Sequence, residues 1–319
     1  GKVGFNLESG FDADTGVSGQ SLTNKDAKVI GTTPSKSTRL CGREASLFMD
    51  TDFGTLAFGR TGALSAGTGS YNLAKYTPFS TGWGSLTAQK ANFWIGDRDR
   101  MDNTVTYRTP SFAGFQVTAQ YSFNRAGQEE AGNERLNERY AALGASYNNG
   151  PLSTALVLDT VMPDHYHYTA PTADNDSTKA QRDIDDSFGV TFGASYDFEV
   201  VKTFFQAQYA QHESKLGTST ASVNKKEGMT GYAFSLGATA PVLGGTAYAQ
   251  ANYLSAEADK TAGDVKDEQQ NWGVALGYTY SFSKRTMAYT YAGYTELKDK
   301  DSGDKEKDTE FGFGLVHKF

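Results

Sequence analysis

Hydrophobic and polar residues alternate with a period of two along most of this chain, which is the mark of β-strands with two unlike faces. The cleanest case is 271–282. Trp272, Val274, Leu276, Tyr278, Tyr280 and Phe282 fall on one face, and Asn271, Gly273, Ala275, Gly277, Thr279 and Ser281 on the other. The same alternation predicts strands at 2–10, 43–49, 55–60, 103–108, 115–123, 139–147, 152–160, 187–198, 200–211, 229–240, 246–255, 286–295 and 310–319. These are about fourteen strands, many of them roughly 9–12 residues long, the length that crosses a bilayer at a tilt.

The connections carry a second pattern. Long polar segments at 12–38, 125–137, 161–186, 213–228, 256–269 and 296–308 alternate with tight turns at 50–54, 110–114, 148–151, near Glu199, 241–245 and 283–285. A water-soluble sandwich, the alternative fold, has no need for every second connection to be long. A transmembrane antiparallel β-barrel does, with an apolar outside, a polar lumen, short turns at one end and long loops at the other. Lipid also forces closure, because an unpaired strand edge cannot be satisfied there.

One stretch breaks the alternation. Over 62–102, about forty residues, no period survives, and a segment this long in a compact domain is functional or disordered. Tyr71, Leu73, Tyr76, Phe79, Trp83, Leu86, Phe93, Trp94 and Ile95 give it too much apolar surface for disorder. It is expected to pack against the rest of the protein.

Composition sharpens this reading. Mean hydropathy is −0.52, and no run approaches the ~18 apolar residues of a transmembrane helix. A barrel keeps average hydropathy low because only alternate residues meet lipid, and 18 Tyr, 35 Gly and 13% aromatics suit one. The net charge of −7 is spread over polar loops and gives no case for nucleic acid. The single Cys41 excludes an internal disulfide and a multi-cysteine metal site. The absence of an initiator Met and a signal peptide is that of a processed or trimmed chain.

No cofactor or metal is expected. His165 and His167 lie on a polar loop without a third ligand in view, and the charged segment 296–308 has no calcium-loop spacing; it is expected as a solvated external loop. Catalysis needs a histidine held against a nucleophile or carboxylate. Of four histidines, 165 and 167 lie in a loop and His317 in the last strand, while His212 sits at a strand end with Glu213 as its only obvious partner in sequence, and by parity with Gln206 and Gln208 it would face the lumen mouth. An enzyme is therefore not expected. Abundant Gly, Ala, Ser and Thr at inward positions predict an open lumen rather than a plugged one.

The last strand places Phe311, Phe313, Leu315, His317 and Phe319 in alternation and ends on Phe. This resembles the terminal assembly signal of Gram-negative outer-membrane porins, read by the barrel-assembly machinery. With FGTLAFGR (53–60), DNTVTYRTPSFAGF (102–115), YNNGPLS (147–153), GASYDF (193–198) and LGYTYSFSKRT (276–286), the chain resembles the trimeric general-diffusion porins of the β-proteobacterial type over nearly its whole length. That family's barrel has sixteen strands. About fourteen are visible here, 2–10 resembles the third, and a missing N-terminal segment is expected.

The resemblance implies one barrel domain over 1–319, with 62–102 folded into the pore to narrow it. It also implies a homotrimer in outer-membrane lipid and lipopolysaccharide, passing small hydrophilic solutes and ions by passive diffusion. The alternatives are a substrate-specific channel or an outer-membrane barrel hydrolase. The motifs carry two lumen arginines. Arg108 points inward by its own alternation, whereas Arg60 shares the parity of Leu56 and Phe58 and needs a bulge to turn inward. At the return of the long loop, Asp97, Arg98, Asp99 and Arg100 either line the constriction or only fix the loop's shape. Together with Lys75 and Lys90 they leave residues 63–101 at net +2. A weak preference for anions is expected.

Overall fold

The computed structural model describes residues 1–10, 40–79, 83, 98–125, 137–162, 166–167, 180–181, 185–213, 228–258, 268–300 and 302–319. Among them there is no helix. The strands are β1 (Lys2–Glu8), β2 (Glu44–Thr51), β3 (Gly54–Gly62), β4 (Arg100–Arg108), β5 (Phe115–Ser122), β6 (Arg139–Asn149), β7 (Leu152–Met162), β8 (Tyr166–His167), β9 (Ala180–Gln181), β10 (Ser187–Asp197), β11 (Lys202–Glu213), β12 (Met229–Val242), β13 (Gly245–Ala258), β14 (Glu268–Ser281), β15 (Thr286–Asp299) and β16 (Lys305–His317). Fourteen of them form one sheet in chain order, with β8 and β9 as a separate pair. Each of the fourteen answers to a strand expected from the alternation; the small β8–β9 pair was not foreseen.

The apolar face of the sheet is exposed. Phe115, Val117, Phe188, Phe192, Trp272, Val274 and Leu276 are all open to the surroundings, as are Phe311, Phe313 and Leu315. The opposite face is buried and polar, with Ser46, Thr104, Thr106, Thr118, Gln120, Gln206, Gln208, Gln250 and Asn252 all below a tenth exposed. This inverts the arrangement of a water-soluble protein and matches strands that meet hydrocarbon on one side.

Two expectations are corrected. The charged segment 296–308 is mostly strand, because β15 runs to Asp299 and β16 starts at Lys305. Opposite charges meet across the pair: Glu296 bonds Lys305 at 2.9 Å and Lys307 at 3.7 Å. Cross-strand ion pairs do there what apolar pairs do lower down. Second, the register of β11 against β12 shifts between Ala210 and Glu213, and His212 takes a φ of 55°. The bulge hands the buried position to Glu213, 2% exposed, and ends the parity that put His212 beside Gln206 and Gln208.

By contact the chain forms two compact units. The first comprises Gly1–Leu73, Arg98–Ala145 and Val157–Ser187; the second comprises Ala74–Asp97, Ser146–Leu156 and Phe188–Phe319. In the first, Ala63, Ala66, Met101, Tyr140 and Val161 form one buried cluster, and Ala57, Leu64, Tyr71 and Val157 another. In the second, Ala210, Met229, Ala233, Leu254 and Ala256 cluster.

The described part of the long loop is packed as its composition requires. Ala63 through Ala66 are fully buried, and Tyr71, Ala74, Tyr76 and Phe79 nearly so. Its side chains sit over glycines on the polar face. A Cβ on Gly144 would lie 2.3 Å from Leu73, on Gly193 2.2 Å from Tyr76, on Gly237 2.5 Å from Pro78, and on Gly277 2.7 Å from Phe79. Expected to leave open space, these small residues instead leave room for the loop.

Candidate functional site

The expected arginines lie in the first unit, where β3 and β4 pair from Thr55↔Arg108 to Gly59↔Thr104 and then shift register between Gly59 and Thr61. Gly59 has a φ of +124°, and a Cβ there would lie 2.2 Å from the Ala45 carbonyl oxygen, so only glycine fits this bulge. The irregularity overrides the parity that would send Arg60 to the apolar face. The Arg60 guanidinium donates to Asp102 Oδ1 at 2.7 Å and, through Nε, to the Gly42 carbonyl at 2.7 Å.

Arg108 follows Thr104 and Thr106 on the polar face of β4, and its guanidinium lies over the Tyr71 ring, 5.3 Å from the centroid. Among the described residues no carboxylate lies within salt-bridge distance of it. Its partner is instead the negative face of a loop aromatic. Glu44, 3% exposed, fixes the same stretch of loop by accepting from the Ser70 amide at 3.2 Å and from Ser46 Oγ at 3.1 Å. Gln120 holds the loop's start, donating to the Gly62 carbonyl at 3.2 Å and to Thr106 Oγ1 at 3.0 Å.

The returning end of the loop is clasped by β7. Arg98 Nε donates to Asp159 Oδ1 at 2.6 Å, and both side chains are almost fully buried, at 2% and 1% exposure. The other carboxylate oxygen accepts from Ser65 Oγ, at the loop's entry, and from the Tyr140 hydroxyl at 3.3 Å. One carboxylate therefore ties both ends of the loop to the wall. Such a pair gains little net stability against its desolvation, but removing one partner leaves a buried charge uncompensated.

Of the residues expected at a constriction, Arg60, Arg98, Arg100 and Arg108 all belong to the first unit, with Arg100 and Arg108 at opposite ends of β4. Arg100 is half-buried beside Asp99 at 3.7 Å, and Arg98 is sealed in its ion pair. Lys75, in the second unit, is exposed. Asp97 and Lys90 lie outside the described residues, as do His165 and the side chain of His167. Sequence reasoning missed Asp159, Glu44, Ser65 and Tyr140. Asp159 did carry a signal, since an acid in mid-strand sharing its face with Ala155 and Val157 must find a partner.

In the second unit the loop meets the wall through rings. The Tyr76 amide donates to Gln206 Oε1 at 3.2 Å, and its hydroxyl lies 3.2 Å from Ser153 Oγ. Beyond it, Phe79 and Trp83 pack edge-on, centroids 5.3 Å apart, and both contact Tyr248. Among the described residues no group of three or more His, Cys, Asp or Glu could hold a metal ion.

Comparison with known proteins places this geometry. A family model described as Gram-negative porin matches residues 1–302. An outer membrane porin protein of Bordetella pertussis is 30% identical over 343 aligned residues, covering 99% of this chain and 77% of the relative. Outer membrane porin protein 32 of Delftia acidovorans is 30% identical over 203 residues, covering 64% of this chain and 48% of that protein. Among solved structures, the anion-selective porin from Comamonas acidovorans superposes with a TM-score of 0.63 at 23% identity, covering 99% of this chain and 84% of the other. That likeness is one of fold: the fourteen-stranded antiparallel sheet is that of the outer-membrane β-barrel porins.

Proposed function

The chain belongs to the Gram-negative porin family, and on that premise we propose how its charged loop base governs what crosses. The protein is an outer-membrane channel through which small hydrophilic solutes and ions diffuse passively. The finer reading is a single barrel over 1–319, with 62–102 as its constriction, a weak preference for anions, and no chemical step. The exposed terminal alternation Phe311, Phe313, Leu315, His317 and Phe319 acts as the assembly signal, and the working form is a homotrimer set among lipid and lipopolysaccharide.

One observation carries the anion preference. Arg60 is offset by Asp102, Arg98 by Asp159 and Arg100 by Asp99, whereas among the described residues Arg108 makes no ion pair and lies over the Tyr71 ring. An uncompensated charge near a permeating ion is worth on the order of 4 kcal/mol at ~4 Å in an effective dielectric near 20, before screening. Salt limits the reach to about 8 Å at physiological strength, so the acidic residues of distant loops weigh less than Arg108, and the net −7 does not set the sign. Fold likeness to an anion-selective porin supports the same reading.

The test is the reversal potential of the reconstituted channel across a KCl gradient. The unmodified channel is expected to favour chloride modestly. Arg108→Ala should raise cation permeability more than Lys305→Ala, whose side chain is exposed at the far end of β16. Strong cation selectivity, or indifference to Arg108→Ala, contradicts the assignment.

A further inference from the structure

The second unit carries a group of rings that unselective diffusion does not require. Tyr289 and Tyr291 lie opposite Gly314 and Gly312 in the β15–β16 register. A Cβ on those glycines would come within 2.4 and 2.3 Å of the ring Cζ atoms, so the two rings rest over bare backbone. Their planes lie within 8° of parallel at a centroid separation of 6.3 Å, and the pair so seated is called the floor here. Trp83, from the long loop, stands on this floor at 67° to Tyr289 and 74° to Tyr291, and its centroid lies 4.9 Å from that of Tyr248. All four rings are half-buried.

The polar groups around the floor are equally particular. Among the described residues the hydroxyls of Tyr248, Tyr289 and Tyr291 make no hydrogen bond, whereas those of Tyr107 and Tyr278 are bonded to backbone carbonyls. Glu310 shares the face of Gly312 and Gly314 on β16 and lies diagonal to Tyr291. The site therefore offers flat π faces, free phenols and one carboxylate, a largely apolar lining with a few convergent polar groups.

We propose that the Trp83, Tyr248, Tyr289 and Tyr291 rings with Glu310 form a binding subsite for the pyranose ring of a neutral sugar passing through the channel. This rests on the channel reading, which makes the polar face a lumen wall. A pyranose presents a face of C–H groups and a rim of hydroxyls. The floor takes the C–H face by dispersion and ring polarity, while the phenols and the carboxylate take the hydroxyls. An anionic solute is repelled by Glu310 and by the ring faces. A cation is best held over a ring face, but two parallel rings with an upright neighbour fit a flat ring better than a compact charge.

The experiment uses the whole protein in a planar bilayer, reading the block of KCl current by maltotriose and by a polyethylene glycol of similar mass. Maltotriose is expected to half-block at a concentration about tenfold lower than the glycol, as ring stacking predicts. Trp83→Leu, which changes no strand residue, and Tyr291→Leu should each raise that concentration by roughly fivefold or more. Equal block by both solutes, or block unchanged in both variants, overturns the subsite while the channel reading stands. Stronger block by tetraethylammonium, lost in Glu310→Gln, overturns it in favour of a cation site. A protein that conducts no KCl overturns the channel itself.

Discussion

In the first unit the loop is held by charge and hydrogen bonds: Asp159 receives Arg98, Ser65 and Tyr140, and Glu44 receives the Ser70 amide. In the second, beside the Tyr76 hydrogen bonds to Gln206 and Ser153, it is held by shape and without an ion pair among the described residues, with Tyr76, Pro78 and Phe79 lying over Gly193, Gly237 and Gly277. The two devices fail differently. A buried carboxylate is all-or-none, because its partners were desolvated to reach it. A ring over a glycine loses its fit by degrees as volume is added beneath it. The ionic hold thus specifies where the loop leaves and rejoins the wall, and the glycine seats let it lie close to the strands between those points.

Breaking the ionic hold should have the largest effect. Asp159→Ala leaves the Arg98 guanidinium buried without its carboxylate and is expected to cost ~3–5 kcal/mol, whereas Arg98→Met combined with Asp159→Leu should cost far less or nothing. Urea unfolding of the folded protein in detergent measures both, and a double variant as unstable as the single one contradicts the account. Filling a seat should cost less. Gly193→Val places methyl groups where the Tyr76 ring now lies and is expected to cost ~1–3 kcal/mol by overpacking. Combined with Tyr76→Ala it should cost less than the sum of the two single changes, the coupling expected of residues in contact. Additive costs would place Tyr76 elsewhere.

The smallest effect lies outside the strands. The Lys300 ammonium is held above the ordinary lysine range, first by its hydrogen bond to Glu268. A raised folded pKa means this contact contributes fully below the unfolded lysine's pKa and is lost as pH rises through the folded value. Unfolding curves across the alkaline range should therefore show a slight loss of stability that Lys300→Met removes. A loss of the same size in that variant assigns the alkaline effect to another group.

The strands were legible because each has one face in an apolar medium, and alternation reports that directly. Their outer ends were not, because Glu296, Lys305 and Lys307 pair in a strand with the same residue types that fill loops. Arg60 illustrates the limit of parity. A bulge was needed to place it, and only the strained Gly59 backbone marks where that bulge lies. The Arg98–Asp159 clasp spans 61 residues of sequence, so no local spacing could reveal it. The glycine seats were visible as small residues but read as empty space, because sequence alone does not say which chain segment comes back to fill them.

The most direct measurement concerns the loop itself. Replacing 66–97 by a short Gly-Ser link leaves every strand of the described residues intact. The conductance and the size cut-off for neutral polymers can then be compared with those of the unmodified channel. If the loop narrows the pore, the shortened channel conducts more current and admits larger polymers. An unchanged conductance and cut-off would mean that the loop lies against the wall without constricting it, and the account built on 62–102 would fail.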